Sequence, residues 1–160
     1  MFNVLVLCTG NSARSILGEM LFNHLGQGRI KAYSAGSKPG GIVNPVALET
    51  LQKHHVPCAG SRSKSWDEFG QSDAPQIDFI FTVCSNAANE TCPVWPGHPT
   101  TAHWALPDPA HVEPLEARRE AFEQAFQSLR QRISAFLALP LETMPREDIL
   151  AAARQIHTEA

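Results

Sequence analysis

The feature that most limits the fold of this chain is a short apolar run that halts at a polar loop and resumes as a helix. Phe2 to Leu7 is rich in Val and Leu, and Cys8-Thr9-Gly10-Asn11 ends it. Ile16, Met20, Leu21 and Leu25 then recur at helical spacing within Ser15 to Leu25, and Gly26 and Gly28 punctuate the end. An apolar strand followed at once by a helix belongs to a parallel sheet covered on both faces. The pattern repeats with a second strand over Ile30 to Ala35, closed by Gly36 and the Pro39-Gly40-Gly41 loop. Asn44 caps a helix with Pro45 at its first position, running through Val46, Leu48, Leu51 and His55. Ser65 and Glu68 have capping-box spacing around Trp66, which predicts a further short helix.

Phe79 to Val83 is the most apolar strand, and a last one lies within Thr101 to Leu106. After Pro114, the residues Phe122, Ala125, Phe126, Leu129, Ile133 and Phe136 form one apolar stripe of a long helix that Pro140 ends. Thr143 and Pro145 open a shorter helix ending near Ile156. The expectation is an α/β fold, a three-layer sandwich with a four-stranded parallel sheet flanked by helices. Residues 1–140 make the domain, and 141–160 a helical extension packed on it or trailing it.

Composition removes several function classes. A chain of 160 residues can bury a core without staples, and its net charge of −3 gives no basic footprint for nucleic acid or acidic lipid. No apolar run is long enough to span a bilayer, and the opening run lacks the basic flank of a signal peptide. The expectation is a cytoplasmic monomer that binds neither membrane nor nucleic acid. In a reducing compartment the four cysteines, Cys8, Cys58, Cys84 and Cys92, serve catalysis, metal binding or packing rather than permanent bridges.

Cys8 stands where an open parallel sheet binds ligands, beyond the carboxyl end of a strand and before a helix. A helix N-terminus offers unbonded N–H groups and partial positive charge, which attract an oxyanion and favour a thiolate. Thr9, Gly10, Asn11, Ser12, Ala13, Arg14 and Ser15 make the candidate oxyanion-binding loop. Gly10 lets the backbone curl closely round a ligand, and Asn11 tolerates positive φ. Arg14 can grip a tetrahedral anion through two parallel hydrogen bonds, and the Ser15 hydroxyl can stabilise the thiolate. An arginine six residues after one of four cysteines arises by chance in about one chain in four, so the flanking strand, helix, Gly10 and Ser15 carry the specificity. The absence of a Gly-Lys-Ser/Thr sequence disfavours a nucleotide-phosphate loop.

Leu5 to Ser15, with Tyr33-Ser34-Ala35-Gly36 and Asp108-Pro109, resembles the signature of the low-molecular-weight protein tyrosine phosphatase superfamily. Within it the chain is most similar to the thiol-coupled, thioredoxin-linked type of arsenate reductase, through Val83-Cys84-Ser85-Asn86, Cys92-Pro93 and His103-Trp104. The resemblance implies Cys8 as nucleophile, Arg14 as oxyanion ligand and Asp108 as general acid. It implies arsenate as substrate and no bound cofactor or metal. It also implies an external reductant: thioredoxin, glutaredoxin or a low-molecular-weight thiol.

Both activities of the superfamily begin with thiolate attack on a tetrahedral oxyanion, and a cysteine supply near the loop separates them. Cys84 directly follows a strand and is expected on the same crest of the sheet as Cys8. Cys84 and Cys92 flank a segment of about two helical turns, which as a helix would hold them about 12 Å apart. A disulfide tolerates at most about 7 Å between Cα atoms, so joining them requires the segment to unwind or to be irregular. The expected relay runs from a Cys8–Cys84 disulfide to a Cys84–Cys92 disulfide, as the resemblance also implies. Where the phosphatases it resembles place aromatic residues after Asp-Pro to stack on a phenol ring, this chain has Ala110 and His111, so residual phosphatase activity is expected only toward small aryl phosphates. The alternative is a low-molecular-weight protein tyrosine phosphatase working through a Cys8 phosphocysteine. A lesser alternative is a zinc-binding redox-sensing module using Cys84, Cys92, His98 and His103, whose cysteine spacing is wide for such a site. Some relatives hold a monovalent cation through positions resembling Asn11, Glu19 and Ser34. The acidic position of that site corresponds to Lys64 here, so the ammonium is expected to replace the ion.

Overall fold

A computed structural model describes residues 1–83 and 101–159. Four strands form one parallel sheet in the order β2-β1-β3-β4, with β1 Phe2–Cys8, β2 Ile30–Gly36, β3 Phe79–Thr82 and β4 Ala102–His103. The central strand is the most apolar at its middle, and Val4, Leu5, Val6 and Leu7 are all at most 1% exposed. Each such side chain contributes about 1.5–3 kcal/mol by leaving water.

Alternation along β1 divides the core in two. Val4, Val6 and Cys8 face a large cluster with residues from α1 (Arg14–Leu25), α2 (Pro45–Lys53), α3 (Leu115–Leu137) and α4 (Arg146–Glu159). Leu5 and Leu7 face a smaller cluster with Ala35 and Ile80, against which Tyr33, Trp66 and Phe69 pack. The large face is aromatic at its centre, where Trp104 lies 4.2 Å from Phe81 and Phe136 meets both Phe79 and Phe81 edge-on.

Local chemistry explains where elements stop. Asn44 caps α2 by accepting from the Val46 amide, with Pro45 at the first helical position as expected. The helix ends at Lys53 instead of running through His55, because His54 is the cap and His55 takes φ 59°. The turn Trp66–Gly70 is a 3₁₀ helix without the reciprocal capping box. Ser65 accepts from the Asp67 amide, while Glu68 pairs with Arg62. The last helix packs on the same core through Ile149 and Ala153. No helix among the described residues is long and apolar enough to cross a membrane.

Candidate active site

Cys8 ends β1, opposite Gly36 of β2, and its side chain is 4% exposed. The chain then turns through residues 9–13 and enters α1 at Arg14. Ala13 provides no side-chain cap and the first turn of α1 has no acidic residue, so its positive end is left to an incoming anion. The loop is held from outside by its carbonyls. Thr9, Gly10 and Ser12 accept from the amides of Lys38, Gly40 and Asn44 at 3.0, 3.1 and 2.9 Å. The Ser63 hydroxyl also donates to the Gly10 carbonyl. The amides of residues 10–13 have no protein acceptor among the described residues, and this is the arrangement that an oxyanion requires.

Asn11 takes the positive φ anticipated for it, 46°. Its side-chain amide donates to Ser15 Oγ at 2.8 Å and Ser34 Oγ at 3.0 Å, and its Oδ1 accepts from the Lys64 amide. Because Ser15 accepts there, its hydroxyl hydrogen is left to point elsewhere, and Ser15 itself is fully buried next to Arg14 in the chain. Ser34 donates in turn to Glu19 in a very short hydrogen bond.

The Lys64 ammonium lies among oxygens: Arg62 carbonyl at 3.2 Å, Glu19 Oε1 at 3.4 Å and Ser34 Oγ at 3.5 Å. Lys64 is 8% exposed, so its charge is compensated within the protein, and it stands where the cation was expected to be replaced.

Arg14 is 4% exposed and donates through Nη1 to the Leu106 carbonyl at 2.9 Å. Its Nη2 lies 3.7 Å from Asp108 Oδ2, which brings Asp108 to the same site. The other Asp108 oxygen accepts from the Ala110 amide, an Asx turn that fixes the carboxyl above the loop. The expected sites at Cys84 and Cys92, and the metal-ligand alternatives at these cysteines and His98, lie outside the described residues. His103 is described, and its Nδ1 is 2.6 Å from Thr82 Oγ. Among the described residues no group of three metal-ligating side chains assembles.

Closure of the loop within the protein depends on Gly36. A Cβ at Gly10 would meet only Ser12 Oγ at 3.7 Å, an ordinary contact. A Cβ at Gly36 would stand 2.4 Å from the Thr9 carbonyl oxygen, so β2 must lack one for the loop to close. The Tyr33-Ser34-Ala35-Gly36 match was the available signal. The outer brace of Lys38, Gly40 and Asn44 had no signal, because main-chain amides carry no residue signature.

Residues 3–148 match the family model described as low molecular weight phosphotyrosine protein phosphatase. An arsenate reductase of Shouchella clausii is 32% identical over 137 residues, covering 86% of this chain and 93% of the relative. One of Bacillus subtilis is 33% identical over 127 residues, covering 79% and 86%. Among solved structures, the arsenate reductase of Archaeoglobus fulgidus superposes with a TM-score of 0.64 at 27% identity, over 82% of this chain and 98% of that one.

Proposed function

Since this chain belongs to the low-molecular-weight phosphotyrosine protein phosphatase family, we propose that it reduces arsenate to arsenite through a cysteine relay. The chain is an enzyme of that superfamily, and the curated relatives named above are arsenate reductases. In the proposed mechanism the Cys8 thiolate attacks arsenic while Arg14 and the loop amides hold the remaining oxygens. Asp108 protonates the departing oxygen, which leaves as water, and a Cys8–arsenate thioester forms. The Cys84 thiolate then attacks the Cys8 sulfur. The sulfur–arsenic bonding pair stays on arsenic, which leaves as arsenite, and a Cys8–Cys84 disulfide remains. Attack by Cys92 on Cys84 returns Cys8 to its thiolate, and an external dithiol such as thioredoxin reduces the Cys84–Cys92 disulfide.

One observation carries this reading. The Val83 amide donates to the Leu7 carbonyl at 3.1 Å, so the covalent neighbour of Cys84 is bonded to the covalent neighbour of Cys8. Consecutive Cα atoms are about 3.8 Å apart, which supports a second thiol within reach of the first.

A second reading is favoured by the Asp108 carboxyl beside Arg14: a phosphatase hydrolysing a Cys8 phosphocysteine, its other cysteines guarding Cys8 against oxidation. The Cys92→Ser variant separates the two. A reductase stops after at most one turnover with a Cys8–Cys84 disulfide, seen by mass spectrometry of the alkylated protein. A phosphatase keeps turning over on an aryl phosphate and forms no disulfide. Arsenate-dependent NADPH oxidation, run with thioredoxin and its reductase beside glutathione and glutaredoxin, identifies the donor.

A further inference from the structure

The segment that carries Leu106 and Asp108 to the oxyanion loop is gripped by three helices. Arg154 of α4 donates to the Thr101 carbonyl at 3.2 Å, and the Trp104 indole donates back to the Ala153 carbonyl at 2.8 Å. Arg132 of α3 donates to the Ala105 carbonyl at 3.1 Å, and Arg14 of α1 to the next one, Leu106, at 2.9 Å. Beyond that point Asp108 is held by the Ala110 amide and by Arg14. Pro107 and Pro109 have no amide hydrogen to donate. An open pocket of about 280 Å³ is lined by Pro107 and Pro109 on one side and Ala121 and Ala125 of α3 on the other.

Arg132 is an expensive residue to keep there. It is 7% exposed, its Nε has no hydrogen-bond partner, and burial lowers its pKa with no carboxylate among the described residues to offset it. A buried cation held by one carbonyl contributes little to folding, and an apolar side chain of similar volume is often neutral or stabilising in its place. The fold alone does not account for it.

We infer that Arg132 is a positioning residue of the oxyanion site: by holding the Ala105 carbonyl it fixes the peptide planes on both sides of Leu106, and so sets Arg14 and Asp108. This rests on the oxyanion site being the catalytic one, but not on which oxyanion is turned over. Two successive carbonyls held by guanidinium groups from different helices define the backbone of the residue between them. Without the Arg132 bond the Leu106 carbonyl can rotate, and Arg14 follows it.

The test is inorganic phosphate affinity by calorimetry, kcat/KM for arsenate, and the thermal midpoint of Arg132→Met, Arg132→Gln and Arg132→Lys. Glutamine relieves the buried charge but is two bonds too short to reach the Ala105 carbonyl, so it serves if the methionine variant does not fold. Lysine keeps a cationic donor only one bond shorter than the Arg132 terminal nitrogen. The expected result is a loss of about tenfold or more in phosphate affinity and in kcat/KM for Met and Gln, with the thermal midpoint unchanged or raised and Lys restoring most of the loss. A fallen midpoint with phosphate affinity and kcat/KM unchanged assigns Arg132 to the fold and overturns the inference. If wild-type protein binds phosphate but reduces no arsenate, the proposed reaction fails while the affinity comparison still decides the role of Arg132.

Discussion

The Lys64 ammonium sits 3.4 Å from Glu19 Oε1, both side chains largely withdrawn from water, directly beneath Ser34 and the Asn11 amide that shape the oxyanion loop. The positive charge there is covalently part of the chain and cannot be diluted away. Activity is therefore expected to be the same in potassium chloride and in tetramethylammonium chloride of equal ionic strength, measured as initial rates. A requirement specific to potassium would contradict this assignment. Lys64→Met leaves the Glu19 carboxylate without its cation and should destabilise the protein by about 3 kcal/mol in urea unfolding.

Arg14 has two tasks that a lysine cannot share. Its guanidinium spans the Leu106 carbonyl and Asp108, one through each terminal nitrogen. An ammonium can satisfy one of these directions at a time. Arg14→Lys is expected to lower kcat/KM at least about a hundredfold, with phosphate affinity falling in parallel. Circular dichroism should remain that of the wild type, since the hydrophobic cluster that packs α1 is built from Ile16, Leu17, Met20, Leu21 and Phe22 and not from Arg14. Near-normal kinetics would place the oxyanion elsewhere.

What was legible in the sequence was local. The strand-loop-helix unit around Cys8 follows from an apolar run, a cysteine and helical spacing within 25 residues, and the four parallel strands follow from its repetition. Asn44 and Pro45 announced the start of α2, and its end falls two residues short of His55, because a histidine and not a glycine takes the left-handed conformation there. The pairing of Ser65 with Glu68 failed for a different reason. Glu68 found a stronger partner in Arg62, and a capping box needs that carboxylate for itself. Arg132 was hidden altogether, since its partner is a carbonyl 27 residues away and carbonyls look alike in every sequence.

Gly36 and Gly10 make a contrast that a matched pair of substitutions exposes. Gly36→Ala puts a methyl 2.4 Å from the Thr9 carbonyl, so either β2 or the loop must move. A loss of about 2 kcal/mol is expected, together with loss of phosphate-induced thermal stabilisation. Gly10→Ala meets nothing closer than 3.7 Å in the protein and should keep the wild-type midpoint without phosphate. Equal destabilisation by the two would show that the loop is not held against β2 as described.

Glu123 ties α3 to α2 and couples that contact to pH. Burial raises its pKa, but hydrogen bonds from Gln127 and His54, the His54 charge and a hydrogen bond from Lys53 outweigh that and hold it at about 2. His54 Nε2 donates at 2.8 Å while its ring stacks on Phe126 at 4.2 Å, so the pair is fixed by packing as well as charge. With the folded pKa below the ordinary 4.5, folding is favoured by the ionised form. The contribution is complete above about pH 4.5 and is lost as pH falls toward 2, amounting to no more than about 3 kcal/mol. Urea midpoints measured between pH 6 and pH 2.5 should fall steeply for the wild type. For Glu123→Gln they should start lower at pH 6 and fall less, the two curves converging at the acid end. Parallel curves would mean that other carboxylates carry the acid transition.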